Sequence, residues 1–254
     1  CNTSEIKHLA DKHSMMGAFK FCGSNNFNHY AWSPTGELLF FDLPRTANIM
    51  DAGKNHKPLY SLPIETPTGQ TAWLNQQKIA FPLTAKAGAT DEADRIGIFD
   101  TFQHTLDIRR APLLNDLDDM QRGLDPSSLY FTAANAEGKR GVHHLDVNTG
   151  TITQAFSWLN GPIESFTFTP EANTVVVGAQ NTVTAYQANT GEVITSHTPA
   201  TRGVMHPDGT WLALEHEGDA VSVFYQRRWE KQKGRDWAQE KKRVKGGSRL
   251  RMKK

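Results

Sequence analysis

The sequence predicts an all-β protein assembled from a repeated four-stranded sheet, and three observations predict it. A short apolar strand runs into a turn on proline and a second apolar strand follows, four times over. The copies are Ala31-Trp32-Ser33-Pro34-Thr35-Gly36-Glu37-Leu38-Leu39-Phe40, Leu124-Asp125-Pro126-Ser127-Ser128-Leu129-Tyr130-Phe131, Phe168-Thr169-Pro170-Glu171-Ala172-Asn173-Thr174-Val175-Val176-Val177 and Met205-His206-Pro207-Asp208-Gly209-Thr210-Trp211-Leu212-Ala213-Leu214. A degenerate fifth copy, residues 72–81, keeps the two strands and has lost the proline. A third strand with a Thr-Gly turn follows in Val142–Ile152 and Val183–Val193, which align without a gap, and Ile96–Thr101 is a shorter relative. Finally, the spacing of roughly 40–45 residues, with room for four short strands, is the metre of a propeller blade.

Taken in order, residues 1–16 form a tether. Ile6, Leu9, Ala10 and His13 lie there at helical spacing, which suits either one or two amphipathic turns or a loose segment. The propeller is expected over 17–226, with five to six four-stranded blades and room for a seventh. Recognisable blades start near residues 29, 71, 115, 163 and 201. The stretch from Asp42 to Thr71 is poorly patterned and has space for part of another blade. Gly17-Ala18-Phe19-Lys20-Phe21-Cys22 alternates as a strand and is expected to supply the outer strand of the blade ending near Tyr225, because an unpaired edge invites aggregation. Cys22 is then a partly buried free thiol.

The ends differ from the body in charge. Residues 225–254 carry 13 Lys and Arg against 3 Asp and Glu, whereas residues 1–224 carry 15 against 24. The basic extension, 227–254, places Arg227, Arg228, Trp229, Arg235, Trp237, Lys241, Lys242 and Arg243 in one stretch, with the two tryptophans on one face of any helix it forms. Gly234 weakens such a helix by about 1 kcal/mol. Basic residues interleaved with aromatics suit an acidic protein groove, anionic lipid or a nucleic acid.

Trp32-Ser33-Pro34-Thr35-Gly36-Glu37-Leu38-Leu39-Phe40 resembles the WD40-like repeat of bacterial TolB- and YVTN-type β-propellers, and the resemblance covers about residues 27–226. It implies the fold and leaves function open, since such propellers include scaffolds, peptidases, lactonases and sugar-binding proteins. Cys1-Asn2-Thr3-Ser4-Glu5 resembles the start of a mature bacterial lipoprotein, in which the thiol of Cys1 is acylated. That resemblance implies palmitate or similar chains at Cys1, and Asn2 favours the outer membrane. Acyl chains then supply the anchoring.

No catalytic motif emerges. There is no Gly-x-Ser-x-Gly elbow, and no His/Asn pair is assignable to Cys22. His206 reads as a blade-turn residue. His143 and His144, adjacent on a strand, point to opposite faces and cannot share a metal. Asp116, Asp118 and Asp119 read as an exposed acidic loop, lacking the glycine and final glutamate of an EF-hand. Asp91-Glu92-Ala93-Asp94 reads as a solvated loop. No metal and no cofactor is expected.

The sequence therefore points to a non-enzymatic, lipid-anchored propeller on the periplasmic face of a bacterial outer membrane, a scaffold for protein partners in an envelope complex. Membrane contact is expected through Cys1 and partner contact through the basic tail; nucleic acid is not expected. Two alternatives stand beside it: a cytoplasmic WD40-like adaptor whose tail binds RNA or another polyanion, and a periplasmic propeller hydrolase or small-ligand binder.

Overall fold

The computed structural model describes residues 30–43, 46–51, 58–62, 69–83, 94–206, 208–217 and 220–225. The tether, Cys1, the expected closing strand 17–22 and the tail from Arg227 lie outside them. The chain divides into two compact units, Cys1–Ala155 and Phe156–Lys254.

The first unit holds three antiparallel four-stranded sheets. Strands β1 (Tyr30–Trp32), β2 (Leu38–Leu43), β3 (Thr46–Asp51) and β4 (Pro58–Leu62) form the first. The second is β5 (Ala72–Trp73), β6 (Lys78–Leu83), β7 (Arg95–Asp100) and β8 (Thr105–Arg110). The third is β9 (Asn115–Arg122), β10 (Ser128–Ala134), β11 (Arg140–Asp146) and β12 (Ile152–Ala155). Each sheet thus begins within a few residues of an expected blade start.

Period-two alternation sorts the side chains of the second sheet onto two buried faces. Ile79, Phe81 and Phe99 pack with Phe40, Ala47 and Ile49 of the first sheet, and Phe40 stacks on Phe81 at 5.6 Å. Ala80, Ile96 and Ile98 face Leu129, Phe131 and Leu145 of the third. Burial on both sides explains why β6 and β7 read as nearly continuous apolar runs. Gly97 is required there, since a Cβ at that position collides with the Phe81 ring. The Trp73 indole nitrogen donates to the Ala31 carbonyl at 2.9 Å, pinning the second sheet to the first.

Phe156–Lys254 holds a four-stranded sheet, β13 (Ser165–Thr169), β14 (Thr174–Ala179), β15 (Thr182–Gln187) and β16 (Val193–His197). A three-stranded sheet follows, with β17 (Arg202–Met205), β18 (Trp211–His216) and β19 (Ala220–Tyr225). Val176, Val183 and Ala185 of the fourth sheet pack against Met205, Leu212 and Leu214 of the fifth.

The repeated turns are built as their chemistry requires. Gly36 and Gly209 take positive φ in two of the proline-type turns, and Gly150 and Gly191 do so in the two Thr-Gly turns. Asp146 accepts from the backbone N–H of Asn148 and Thr149, while Asp100 accepts from Phe102 and Gln103. In the degenerate copy, Asn75 replaces the missing proline by accepting from the N–H of Gln77 and Lys78, both at 2.8 Å.

Three sequence expectations are corrected. The stretch from Asp42 to Thr71 holds no part of an additional blade among its described residues; it supplies β3 and β4 of the first sheet. Asp116, Asp118 and Asp119 are not a loop but lie in β9, where the ladder with β10 shifts register twice. Asp116 and Asp119 take positive φ at those irregularities, a conformation that aspartate tolerates better than most residues. Asp118 accepts from the Gln70 N–H at 2.8 Å. Asp94 is buried rather than solvated: its carboxylate accepts from the Leu117 N–H and its carbonyl from the Ala111 N–H. Asp91, Glu92 and Ala93 lie outside the described residues.

Candidate functional site

The fifth sheet buries one face and exposes the other. Its buried face carries Gly203, Met205, Leu212 and Leu214. Alternation sends Val204, Trp211, Ala213, Val221 and Val223 to the opposite side, where Val204 stands across from Ala213 and Ala213 across from Val223. Four of these are large apolar side chains in solvent: Val204 is 52% exposed, Val221 51%, Trp211 44% and Val223 42%. Exposed apolar residues scattered singly need no explanation, but a contiguous group on one sheet face marks an interaction surface.

The fourth sheet shows what such a face receives. There the row Thr167, Val176 and Ala185 matches the row Val204, Ala213 and Val223, and Val183 matches Val221. Val176, Val183 and Ala185 are buried beneath the fifth sheet. At the positions that match Val183 and Ala185, Val221 and Val223 are again apolar and are exposed.

Polar groups rim this surface. Arg202 and Glu215 stand opposite one another at one end. At the other, the His206 Nδ1 lies 2.7 Å from Asp208 Oδ1 across the blade turn. Hydrogen bonds from the Thr210 hydroxyl and N–H, aided by His206, hold the Asp208 carboxyl down at about 2. An apolar centre with a polar rim is the usual anatomy of a protein–protein interface.

The histidines lie where the sequence places them. His206 belongs to a turn. His143 stacks on Phe131 at 5.7 Å, and burial lowers its pKa. His144 instead meets Tyr130, and its Nε2 lies 2.6 Å from Ser128 Oγ. A second Ser–His pair, Ser222 and His216 at 3.0 Å, escaped motif reading because its members come from adjacent strands. His216 Nδ1 contacts the Pro199 carbonyl. Both pairs are cross-strand bonds of the kind that lock neighbouring strands together.

The lipidation residue Cys1 and the expected partner-binding residues Arg227, Arg228, Trp229, Arg235, Trp237, Lys241, Lys242 and Arg243 lie outside the described residues. The exposed face of the fifth sheet was missed from sequence. Its only signal was the alternation of Val204, Trp211, Val221 and Val223, which any half-buried strand shows.

No protein-family model and no curated protein matches the chain. Solved structures do. Hydrazine synthase from Kuenenia stuttgartiensis aligns with a TM-score of 0.62 at 11% identity, over 78% of this chain and 70% of that one. The β-propeller domain of Cps50 (Swd1) from Myceliophteria thermophila gives 0.55 at 12%, over 83% and 72%. The C-terminal WD40 domain of Sif2 gives 0.51 at 12%, over 78% and 55%, so this chain spans about half of it. Together with the five antiparallel sheets, these likenesses identify the fold as a β-propeller.

Proposed function

We propose that this chain is a non-enzymatic interaction propeller whose fifth sheet docks an apolar β-sheet of a protein partner. One observation carries the reading. Val221 and Val223, both in solvent, occupy the positions that Val183 and Ala185 hold in the fourth sheet, where they receive another sheet. In the finer form of the proposal, acyl chains on Cys1 hold the propeller at the periplasmic face of a bacterial outer membrane. The tail residues Arg227, Arg228, Trp229, Arg235, Trp237, Lys241, Lys242 and Arg243 then add electrostatic attraction to an acidic neighbour. The net +10 charge of residues 225–254 supports the electrostatic part of that form.

The test places a photo-crosslinking residue at Val221 in the full chain, expressed in its native host. The expected result is one discrete adduct that disappears in Val223→Glu, with the melting temperature unchanged. A Val223→Glu variant that melts lower and gives no adduct at any exposed position assigns the face to the chain's own packing and overturns the proposal. Intact-mass measurement of the same preparation reads acylation of Cys1, and an unmodified Cys1 removes the anchor from the reading.

A further inference from the structure

The Phe156–Lys254 unit carries a second feature, independent of the docking face. A cavity of ≈ 240 Å³ lies against the fourth sheet, lined by Trp158, Asn160, Gln180, Thr182, Thr184 and Tyr186 among others. No charged side chain lines it. Small-ligand pockets run to about 300–1,000 Å³, so this one suits a single ring.

The lining combines two chemistries. The first is aromatic: Trp158 and Tyr186 lie 5.2 Å apart between ring centres, and Phe156 backs the indole at 5.9 Å. The indole is fixed in place, because its nitrogen donates to the Ala188 carbonyl at 3.0 Å and its ring rests against Gly191. A side chain at Gly191 collides with that ring, so the glycine is needed both for its positive φ and for the indole's seat.

The second chemistry is neutral and polar. Thr182 Oγ1 pairs with Thr198 at 2.9 Å, and Thr184 Oγ1 with Ser196 at 3.0 Å. A hydroxyl offers one donor and two acceptor sites, so each pair keeps hydrogen-bonding capacity to spare. Asn160 and Gln180, both exposed, bring carboxamides that donate and accept.

Gln180 is held there at a conformational cost. It and Asn181 form the two-residue turn between β14 and β15, with φ of 51° and 59°. Such a turn needs positive φ at both positions and favours Asn or Gly. Asn181 fits the rule and Gln180 does not. A strained non-glycine residue whose side chain lines a cavity points towards function rather than towards folding.

We propose that this cavity binds a neutral sugar ring. The face of a pyranose presents weakly positive C–H groups, which suit the electron-rich face of an aromatic ring. Its edge presents hydroxyls that both donate and accept, matching the threonines and carboxamides. A charged ligand finds no counter-charge here. A proline-rich peptide matches the aromatics but leaves this set of polar groups without partners.

The test uses the full chain labelled with 5-fluorotryptophan, with the Trp158 resonance assigned by its loss in Trp158→Phe. The probes are glucose, galactose, mannose and N-acetylglucosamine, set against glucuronate and a proline-rich peptide. A neutral sugar is expected to shift the Trp158 resonance saturably, with a Kd of about 1 mM, typical of a small ligand with few contacts. Gln180→Gly relieves the left-handed strain, so it keeps or raises the melting temperature while weakening binding about tenfold, the worth of one or two hydrogen bonds. A Trp158 resonance unmoved by all four neutral sugars overturns the proposal. So does a response only to glucuronate or the peptide, or sugar binding that Gln180→Gly leaves intact.

Discussion

The fourth and fifth sheets present the same kind of surface in the same direction, and only one of them is covered. On the fourth, Val176, Val183 and Ala185 disappear beneath Met205, Leu212 and Leu214. On the fifth, Val204, Val221 and Val223 occupy the matching rows and remain in solvent. A face of this kind is stabilised when another sheet covers it, and among the described residues the fifth sheet's is not.

The comparison breaks most sharply in the covered layer. Leu214 is fully buried there. Leu214→Ala should cost about 2–5 kcal/mol, the range for truncating a buried leucine, read as a lower denaturation midpoint at unchanged m-value. Gly203→Ala acts in the same layer by overpacking. The new Cβ meets Val183 Cγ1 at 2.6 Å and Val176 Cγ1 at 2.9 Å, and a loss of about 1–3 kcal/mol is expected by the same measurement. An equal stability for Leu214→Ala and wild type means that the two sheets do not support each other.

On the uncovered layer the expectation reverses. Val223→Ser and Val204→Ser should each change stability by no more than about 0.5 kcal/mol, as exposed substitutions do, while weakening partner crosslinking. Serine variants that destabilise as much as Leu214→Ala show that this face is buried after all.

The smallest effect concerns the rim. Asp208 has an ordinary value of 3.8 and is held at about 2, chiefly by Thr210. A carboxyl whose folded pKa is depressed stabilises the fold above its unfolded value, and the benefit fades as pH falls through the folded one. The Asp208 contribution is therefore complete above pH 3.8 and lost near pH 2. Thr210→Val should bring the Asp208 titration, followed by carboxyl NMR, back up towards 3.8. An unchanged titration in that variant removes the Thr210 hydroxyl as the cause.

What was legible in the sequence follows physical lines. The turns were readable because their chemistry is local: Gly150 and Gly191 must take positive φ, and Thr-Gly announces both. Strand β3 was not, because Ala47, Asn48, Ile49 and Met50 are all buried and the alternation that marks a half-exposed strand is missing. Strand β9 was hidden by its three aspartates, two of which, Asp116 and Asp119, take left-handed positions at its register shifts and make a strand with the composition of a loop. The exposed face of the fifth sheet and the cavity beside Trp158 were illegible for another reason. Exposure depends on what a sheet packs against, and residues 158 and 186 meet only through the fold.

The two faces of the fifth sheet also give the stack a direction. The buried side, with Gly203, Met205, Leu212 and Leu214, inserts; the exposed side, with Val204, Ala213, Val221 and Val223, receives. A second copy docked through a two-fold axis would bring another receiving face rather than an inserting one. Nor does a second copy offer the fifth sheet's inserting face, which already lies beneath the fourth sheet. Under the proposed docking, the partner must therefore bring an inserting face of its own.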